Sequence, residues 1–204
     1  MLKLDLKLNF KTHQIDLKTA IQSGDTLGIY GKSGIGKSTL LKIIAGIQKS
    51  SQSMIIHNDI IWNSRSNGSQ VLSKDREVGL VFQDFALFPN LTVKENLEYA
   101  RRISDADFDQ LVFTLDIENI LDKKSTDISG GQKQRTAIGR AMAYDPKVIL
   151  MDEPFAALDD GIKSKIKSFL KSYISDRNKI AIIASHDYAD LEFFTDQIVT
   201  LQEV

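Results

Sequence analysis

Cysteine is absent from the 204-residue chain, which excludes disulfides, thiolate zinc sites and a cysteine nucleophile and permits a reducing compartment. The three histidines, His13, His57 and His186, are too few and too scattered for a metal cluster. A surplus of either charge is also missing. With 26 Lys and Arg against 27 Asp and Glu, the formal net charge is −1, so charge balance gives no reason to expect nucleic acid or an anionic lipid surface as a partner. No apolar run approaches the roughly 20 residues of a bilayer span; Ile180–Ala184 is among the longest. Lys3, Asp5 and Lys7 break up the N-terminal leucines, unlike the core of a signal peptide. The expectation is a soluble chain that meets a membrane only through a partner. Repeats, linkers, low-complexity stretches and heptad runs are lacking as well, and the length suits one large α/β domain with an insert.

What the sequence does contain centres on Gly31, Lys32, Ser33, Gly34, Ile35, Gly36, Lys37, Ser38 and Thr39, a complete G-x-x-x-x-G-K-[ST]. The apolar Leu27–Tyr30 before it reads as a buried strand, and Leu40–Ala45 after it reads as a helix closed by Gly46. Glycines let the backbone curl around a polyphosphate, so that successive N–H groups and the positive helix end face the anion. Lys37 is placed to reach the β- and γ-phosphates, and the Ser38 hydroxyl to bind Mg²⁺. A chance Gly/Ser turn is the bland alternative, and the flanking strand and helix argue against it.

Strict alternation of Leu2, Leu4, Leu6, Leu8 and Phe10 with polar residues predicts a half-buried strand, and Ile15, Leu17 and Ile21 predict a second. Together they suggest a small antiparallel sheet beside the phosphate loop. Phe10 is the nearest aromatic for stacking on adenine, though it reads equally well as the last core residue of its strand. His13 reads as a loop residue. Met54–His57 and Glu77–Phe82 read as further strands, and Trp62–Ser73 has the composition of an exposed loop.

From Phe85 to about Thr126 the pattern turns helical. Val93–Arg102 is one expected helix; Phe108, Leu111, Val112 and Leu115 mark another, with Ser104 and Asp107 suited to a capping box. A helix is expected from Gly130 to about Tyr144, then the apolar strand Val148–Met151 ending in Asp152–Glu153–Pro154. Ile162, Ile166, Phe169, Leu170 and Tyr173 mark an amphipathic helix, followed by strands at Ile180–Ala184 and Ile198–Leu201. Buried apolar strands alternating with helices argue for a largely parallel sheet.

Ligands of such sheets bind beyond the carboxyl ends of the strands. There the sequence delivers the phosphate loop after Tyr30, Gln83 after Phe82, Asp152 and Glu153 after Met151, and His186 after Ser185. Being adjacent, Asp152 and Glu153 are expected to point different ways: Asp152 towards Mg²⁺ through water, Glu153 towards an attacking water that it orients and deprotonates. Gln83 is assigned to the metal and that water. His186 is assigned to the γ-phosphate, although a lone histidine is more often structural.

These residues, in this order, resemble the nucleotide-binding subunits of ABC transporters. The phosphate loop is similar to their Walker A, Val148–Glu153 to their Walker B with its catalytic glutamate, Gln83 to the Q-loop, Ala157–Leu158–Asp159 to the D-loop and His186 to the switch histidine. Ile128–Ser129–Gly130–Gly131–Gln132–Lys133–Gln134–Arg135 resembles the family signature, with Ile128 in place of its usual leucine and Lys133 after the glutamine as departures. The resemblance implies an α/β P-loop NTPase with a mainly parallel sheet core, a small antiparallel β subdomain and an α-helical insert at about residues 85–145. It also implies ATP and Mg²⁺, hydrolysis of ATP, and a head-to-tail homodimer in which Ser129, Gly130, Gly131, Gln132 and Asp159 contact the nucleotide held by the partner. A multi-span permease docks near the Q-loop and insert, where Phe85, Leu87, Phe88 and Tyr99 line the groove or simply pack in the core. A solute-binding protein takes part indirectly, and the domain sits on the cytoplasmic face of the membrane.

Phe85 to Leu97, including Leu87–Asn96, is similar to bacterial importers of oxyanions, iron, polyamines and sugars, with the molybdate or sulfate type as the first expectation. The chain stops at Val204, so a single ATP-binding domain over 1–204 with no carboxyl-terminal regulatory domain is expected. The competing reading is a family ATPase that drives lipoprotein release, cell division or an assembly step.

Overall fold

The computed structural model describes residues 1–10, 14–65, 71–195 and 197–202, so His13 and the middle of the expected exposed loop lie outside the described residues. The alternating leucines form β1 (Leu2–Asn9), paired antiparallel with β2 (Gln14–Ile21) in the register Leu4↔Thr19 and Leu6↔Leu17. The chain then enters β3 (Thr26–Tyr30), turns through the glycine loop and continues as α1 (Lys37–Ile44). Two strands follow, β4 (Ser53–His57) and β5 (Ile60–Asn63), and complete a four-stranded antiparallel sheet of order β2-β1-β4-β5.

After β6 (Val78–Val81) comes the helical insert: α2 (Val93–Glu98), α3 (Asp105–Thr114) and α4 (Gly130–Ala143). The chain returns through β7 (Val148–Asp152), α5 (Asp160–Asp176), β8 (Ile180–Ser185), α6 (Tyr188–Glu192) and β9 (Ile198–Thr200). The second sheet has the order β6-β7-β8-β3-β9 with every pairing parallel.

The apolar strands divide their side chains between two cores. Val148 and Leu150 of β7, with Ile180 and Ile182 of β8, pack towards α1 and the antiparallel sheet; Ile149, Met151, Ala181 and Ile183 pack towards α4, α5 and the insert. A parallel sheet covered on both faces has this composition because neither face can stay wet. Its carboxyl edge is left for polar chemistry.

Three segments depart from the sequence expectation. Trp62 and Asn63 belong to β5 rather than to an exposed loop, and Trp62 is only 3% exposed. Asn63 reads as a loop residue by type, but its amide donates to the Ser50 and Ser53 carbonyls at 2.9 and 2.7 Å and so is satisfied inside. Helix α2 stops at Glu98 instead of continuing to Arg102, and the Arg102 N–H donates to the Ala143 carbonyl. Phe85 and Ala86 have φ of 66° and 46°, so no helix starts there. At α3, Ser104 accepts from the Asp107 N–H and its hydroxyl donates to the Asp107 carboxylate, a cap without the reciprocal bond of a capping box.

Arg76 is the most deeply buried charge in the fold, 1% exposed. Its guanidinium donates to the carbonyls of Ile43 and Ile44 at the end of α1, and to those of Val71 and Trp62, at 2.7–3.1 Å. Among the described residues it pairs with no carboxylate, and burial lowers its pKa to about 10. Gly46, with φ +76°, is the only residue type that fits beside it, because a Cβ there would stand 2.7 Å from Arg76 Nε.

Candidate functional site

The glycine loop is shaped by two left-handed residues, Gly34 (φ +84°) and Gly36 (φ +107°), the second being the N-cap of α1. A Cβ on Gly36 would meet the Phe10 ring at 2.7 Å, so Phe10 packs directly on the loop. Ile35 belongs to the loop by sequence, but its side chain is buried in the core with α1. Lys37 is 6% exposed, and its ammonium donates to the Gly31 carbonyl at 2.6 Å and to that of Lys32 at 3.3 Å. It also lies 3.1 Å from Glu153 Oε1.

Asp152 and Glu153 are both buried and line the same cavity, correcting the expectation that neighbours in sequence must diverge. The reason is backbone geometry. Glu153 leaves β7 with φ 49°, which breaks the alternation of a strand, and its N–H donates to the Ala184 carbonyl of β8 at 2.9 Å. The cavity, about 160 Å³, is lined by Ser33, Gly34, Gly36, Lys37, Ser38, Thr39, Gln83, Asp152 and Glu153. Residues from three strand ends thus meet where the sequence places them.

His186 joins through Glu153. Its Nδ1 lies 2.9 Å from Glu153 Oε2, and its backbone N–H donates to the same oxygen at 3.3 Å. Ser185 Oγ also donates to Oε2, at 3.4 Å. Sequence reasoning passed over Ser185, although it sits at the same strand end as His186.

The electrostatics favour a divalent cation. Two buried carboxylates face one buried ammonium; Asp152 Oδ1 is buried without a hydrogen-bond partner, and Glu153 Oε1 has only the Lys37 ammonium at 3.1 Å. Burial pushes the Asp152 carboxyl above the ordinary aspartate range; the Ser38 hydroxyl bonded to it pulls the other way, and the Glu153 charge adds to the rise. Among the described residues no group of three His, Cys, Asp or Glu converges on one point. The donor set of one carboxylate and one hydroxyl suits Mg²⁺, which keeps waters and takes phosphate oxygens for the remainder of its shell.

Because the Asp152 pKa is raised in the fold, ionised Asp152 destabilises the protein above that pKa, and the deficit vanishes below the unfolded value. Asp152→Asn should therefore stabilise the nucleotide- and metal-free protein near neutral pH, by about 0.5–2 kcal/mol. The gain should fade as pH falls far enough to protonate the wild-type carboxyl. Thermal unfolding of both proteins across a pH series checks this.

The signature-like residues are elsewhere. Ser129 caps α4 by accepting from the Gln132 N–H, and the Gln132 side chain accepts from the Ser129 N–H at 2.9 Å, a complete capping box. Gly131 is needed within the chain, since a Cβ there would stand 2.9 Å from the Ala157 carbonyl. Gly130 is not: a Cβ there would meet nothing within 4 Å. Asp159 is the N-cap of α5 but makes no capping bond with its side chain. None of these five residues lines the cavity of its own chain.

The sequence profile described as ABC transporter matches residues 15–156. The chain belongs to the ABC transporter family. Its fold is that of a P-loop NTPase, and it is an ABC ATPase domain. A probable sulfate/thiosulfate import ATP-binding protein of Chlorella vulgaris is 37% identical over 189 residues, covering 89% of this chain and 78% of the relative. The molybdenum import ATP-binding protein of Escherichia coli is 34% identical over 203 residues, 99% of this chain and 58% of the relative. This ABC domain thus spans little more than half the length of the molybdenum relatives. A dimeric ATP-binding cassette in a post-hydrolysis state, bound to ADP and Pi, superposes with a TM-score of 0.81 at 31% identity, over 99% of this chain and 94% of that one. The cbiO1 protein of Clostridium perfringens, part of the ABC transporter complex cbiONQ, superposes with a TM-score of 0.76 at 28% identity, over 98% and 84%.

Proposed function

We propose that this ABC domain, one ATP-binding unit over 1–204 with a helical insert at about 85–145, works as a head-to-tail dimer that hydrolyses ATP to energise import of an oxyanion of the sulfate or molybdate class. The cavity that gathers Lys37, Ser38, Gln83, Asp152 and Glu153 carries the reading. On ATP binding, Lys37 leaves the Gly31 carbonyl for the β- and γ-phosphates, and the loop N–H groups from Gly34 to Thr39 cradle the anion. Phe10, packed on Gly36, offers its ring to the adenine. Ser38, Asp152 and Gln83 would hold Mg²⁺, which would supply positive charge against the phosphate oxygens. Glu153 orients a water, takes its proton as the oxygen attacks the γ-phosphorus, and the bond to the β–γ bridging oxygen breaks. His186 turns from Glu153 to the γ-phosphate.

The second wall comes from the partner copy: Ser129, Gly130, Gly131 and Gln132 at a helix N-terminus, and Asp159 with its unused carboxylate. Gly130 supports this directly, because no neighbour in its own chain requires a glycine there. Among the described residues no helix is long and apolar enough to cross a membrane. Contact with the membrane then runs through a permease on the cytoplasmic face, docked beside Gln83 and the insert. There Phe88 and Tyr99 meet with ring centroids 4.3 Å apart and planes tilted by 38°, and both remain exposed. A solute-binding protein supplies the oxyanion to that permease.

Gly130→Ala tests the shared site. Alanine favours helix over glycine by about 1 kcal/mol, so the monomer should keep its stability or gain slightly. ATP turnover should fall about 10–100-fold, because a methyl intrudes where the partner's γ-phosphate must approach. Wild-type turnover in a normally folded variant would contradict the reading. Capture of a multi-span membrane protein together with the tagged chain tests the transport half.

A further inference from the structure

Lys163, Lys167 and Lys171 recur every fourth residue of α5 and so lie on one face. All three reach the segment that follows His186. The Lys163 ammonium is 2.7 Å from Asp190 Oδ1 and 3.6 Å from Asp187 Oδ2. Lys167 reaches the same Asp190 oxygen at 3.2 Å and stands 4.6 Å over the Phe193 ring. Lys171 donates to the Phe193 carbonyl at 2.6 Å. Asp190 is 5% exposed while the Lys163 side chain is 22% exposed, so the network centres on a buried carboxylate at the edge of the core.

Both ends of the network touch functional segments. Asp159 is the N-cap of helix α5, four residues before Lys163, and the Lys163 N–H donates to the Asp159 carbonyl at 2.8 Å. Helix α6 starts at Asp187, next to His186, and the Asp187 carboxylate caps it by accepting from the Ala189 N–H. The Asp187 N–H in turn donates to Ser185 Oγ, the hydroxyl that donates to Glu153. One ammonium therefore ties the start of α5 to the strand end that carries His186.

We propose that Lys163 and Asp190 are positioning residues that hold the His186 segment in register with Glu153 and pass to it the seating of the helix that begins at Asp159. This rests on the ATP-hydrolysis reading above and adds a route within one subunit from the surface the partner touches to the water-activating glutamate. Burial alone would lower the Lys163 pKa, but the hydrogen bond and charge of Asp190, with Asp187 behind them, hold it above the ordinary lysine value. The Lys163 ammonium stays charged through the physiological range. Without the ammonium, Asp190 keeps only Lys167 among the described residues, and the His186 segment loses its tie to the start of α5.

Lys163→Met keeps an unbranched apolar stem and removes the charge; Asp190→Asn is the nearly isosteric counterpart. Each should lower kcat about 10–100-fold, as misplacement of a reacting group does, with KM for Mg-ATP changed less than about twofold. Lys163→Arg should restore most of the rate. In a His186→Ala background the same substitutions should change kcat less than about twofold, because residues acting through one group are not additive. Lys171→Met, on the same face but away from Asp190, should leave kcat near wild type. Equal fold-losses with and without His186, or full activity of both Lys163→Met and Asp190→Asn, would overturn the relay alone. Failure of Glu153→Gln to dimerise with ATP while Lys163 is intact would overturn the shared-site reading and the relay with it.

Discussion

Glu153→Gln should lower steady-state ATP turnover by about 10²–10⁴-fold, the usual contribution of a positioned general base, while leaving ATP bound. Glutamine keeps the volume and the Oε2 contacts to Ser185 and His186, but its amide cannot accept the proton of the attacking water. The Lys37 ammonium loses an ion-pair partner 3.1 Å away, yet retains the Gly31 carbonyl and gains the phosphates. Binding should therefore change far less than turnover. Phosphate release measured alongside nucleotide titration separates the two, and parallel losses would argue that Glu153 holds the site together rather than acting on water.

Arg76→Met should cost about 2–5 kcal/mol of stability, because a buried carbonyl left without its donor costs about 1–3 kcal/mol. The Ile44 and Val71 carbonyls lose their donor, the Ile43 and Trp62 carbonyls keep only the N–H groups of Gly46 and Val71, and methionine offers nothing in return. Against a total of about 5–15 kcal/mol for a folded protein, such a loss decides whether the chain survives expression. Arg76→Lys should recover only part of it, since an ammonium cannot span four carbonyls in a fork. Urea unfolding should show a lowered midpoint at constant slope. A midpoint within error of wild type would show that water or a neighbouring donor replaces the guanidinium.

Much of this was legible because it is periodic or local. The alternating leucines of β1, the fully apolar β7 and β8, the glycine loop and the polar residues at the strand ends each follow from spacing, and the folded chain brings Lys37, Ser38, Gln83, Asp152 and Glu153 to one cavity. What escaped was set by tertiary contact. Asn63 has a loop-forming side chain that is satisfied by the Ser50 and Ser53 carbonyls, so composition hid the buried end of an edge strand. The left-handed turn at Glu153 depends on the bond to Ala184, a residue thirty-one positions away, and no local pattern announces it. Arg76 gives no sign in sequence that its partners are carbonyls. Gly130 and Asp159 are the reverse case: motif residues whose purpose is not visible inside one chain.

The most direct test is the mass of Glu153→Gln in solution, by size-exclusion chromatography with light scattering, with and without Mg-ATP. A shift on adding Mg-ATP from the 22.8 kDa of one chain to twice that mass, abolished by Lys37→Ala in the same background, is the expected result. A monomer under both conditions, with ATP demonstrably bound, would contradict the second wall on which the account depends.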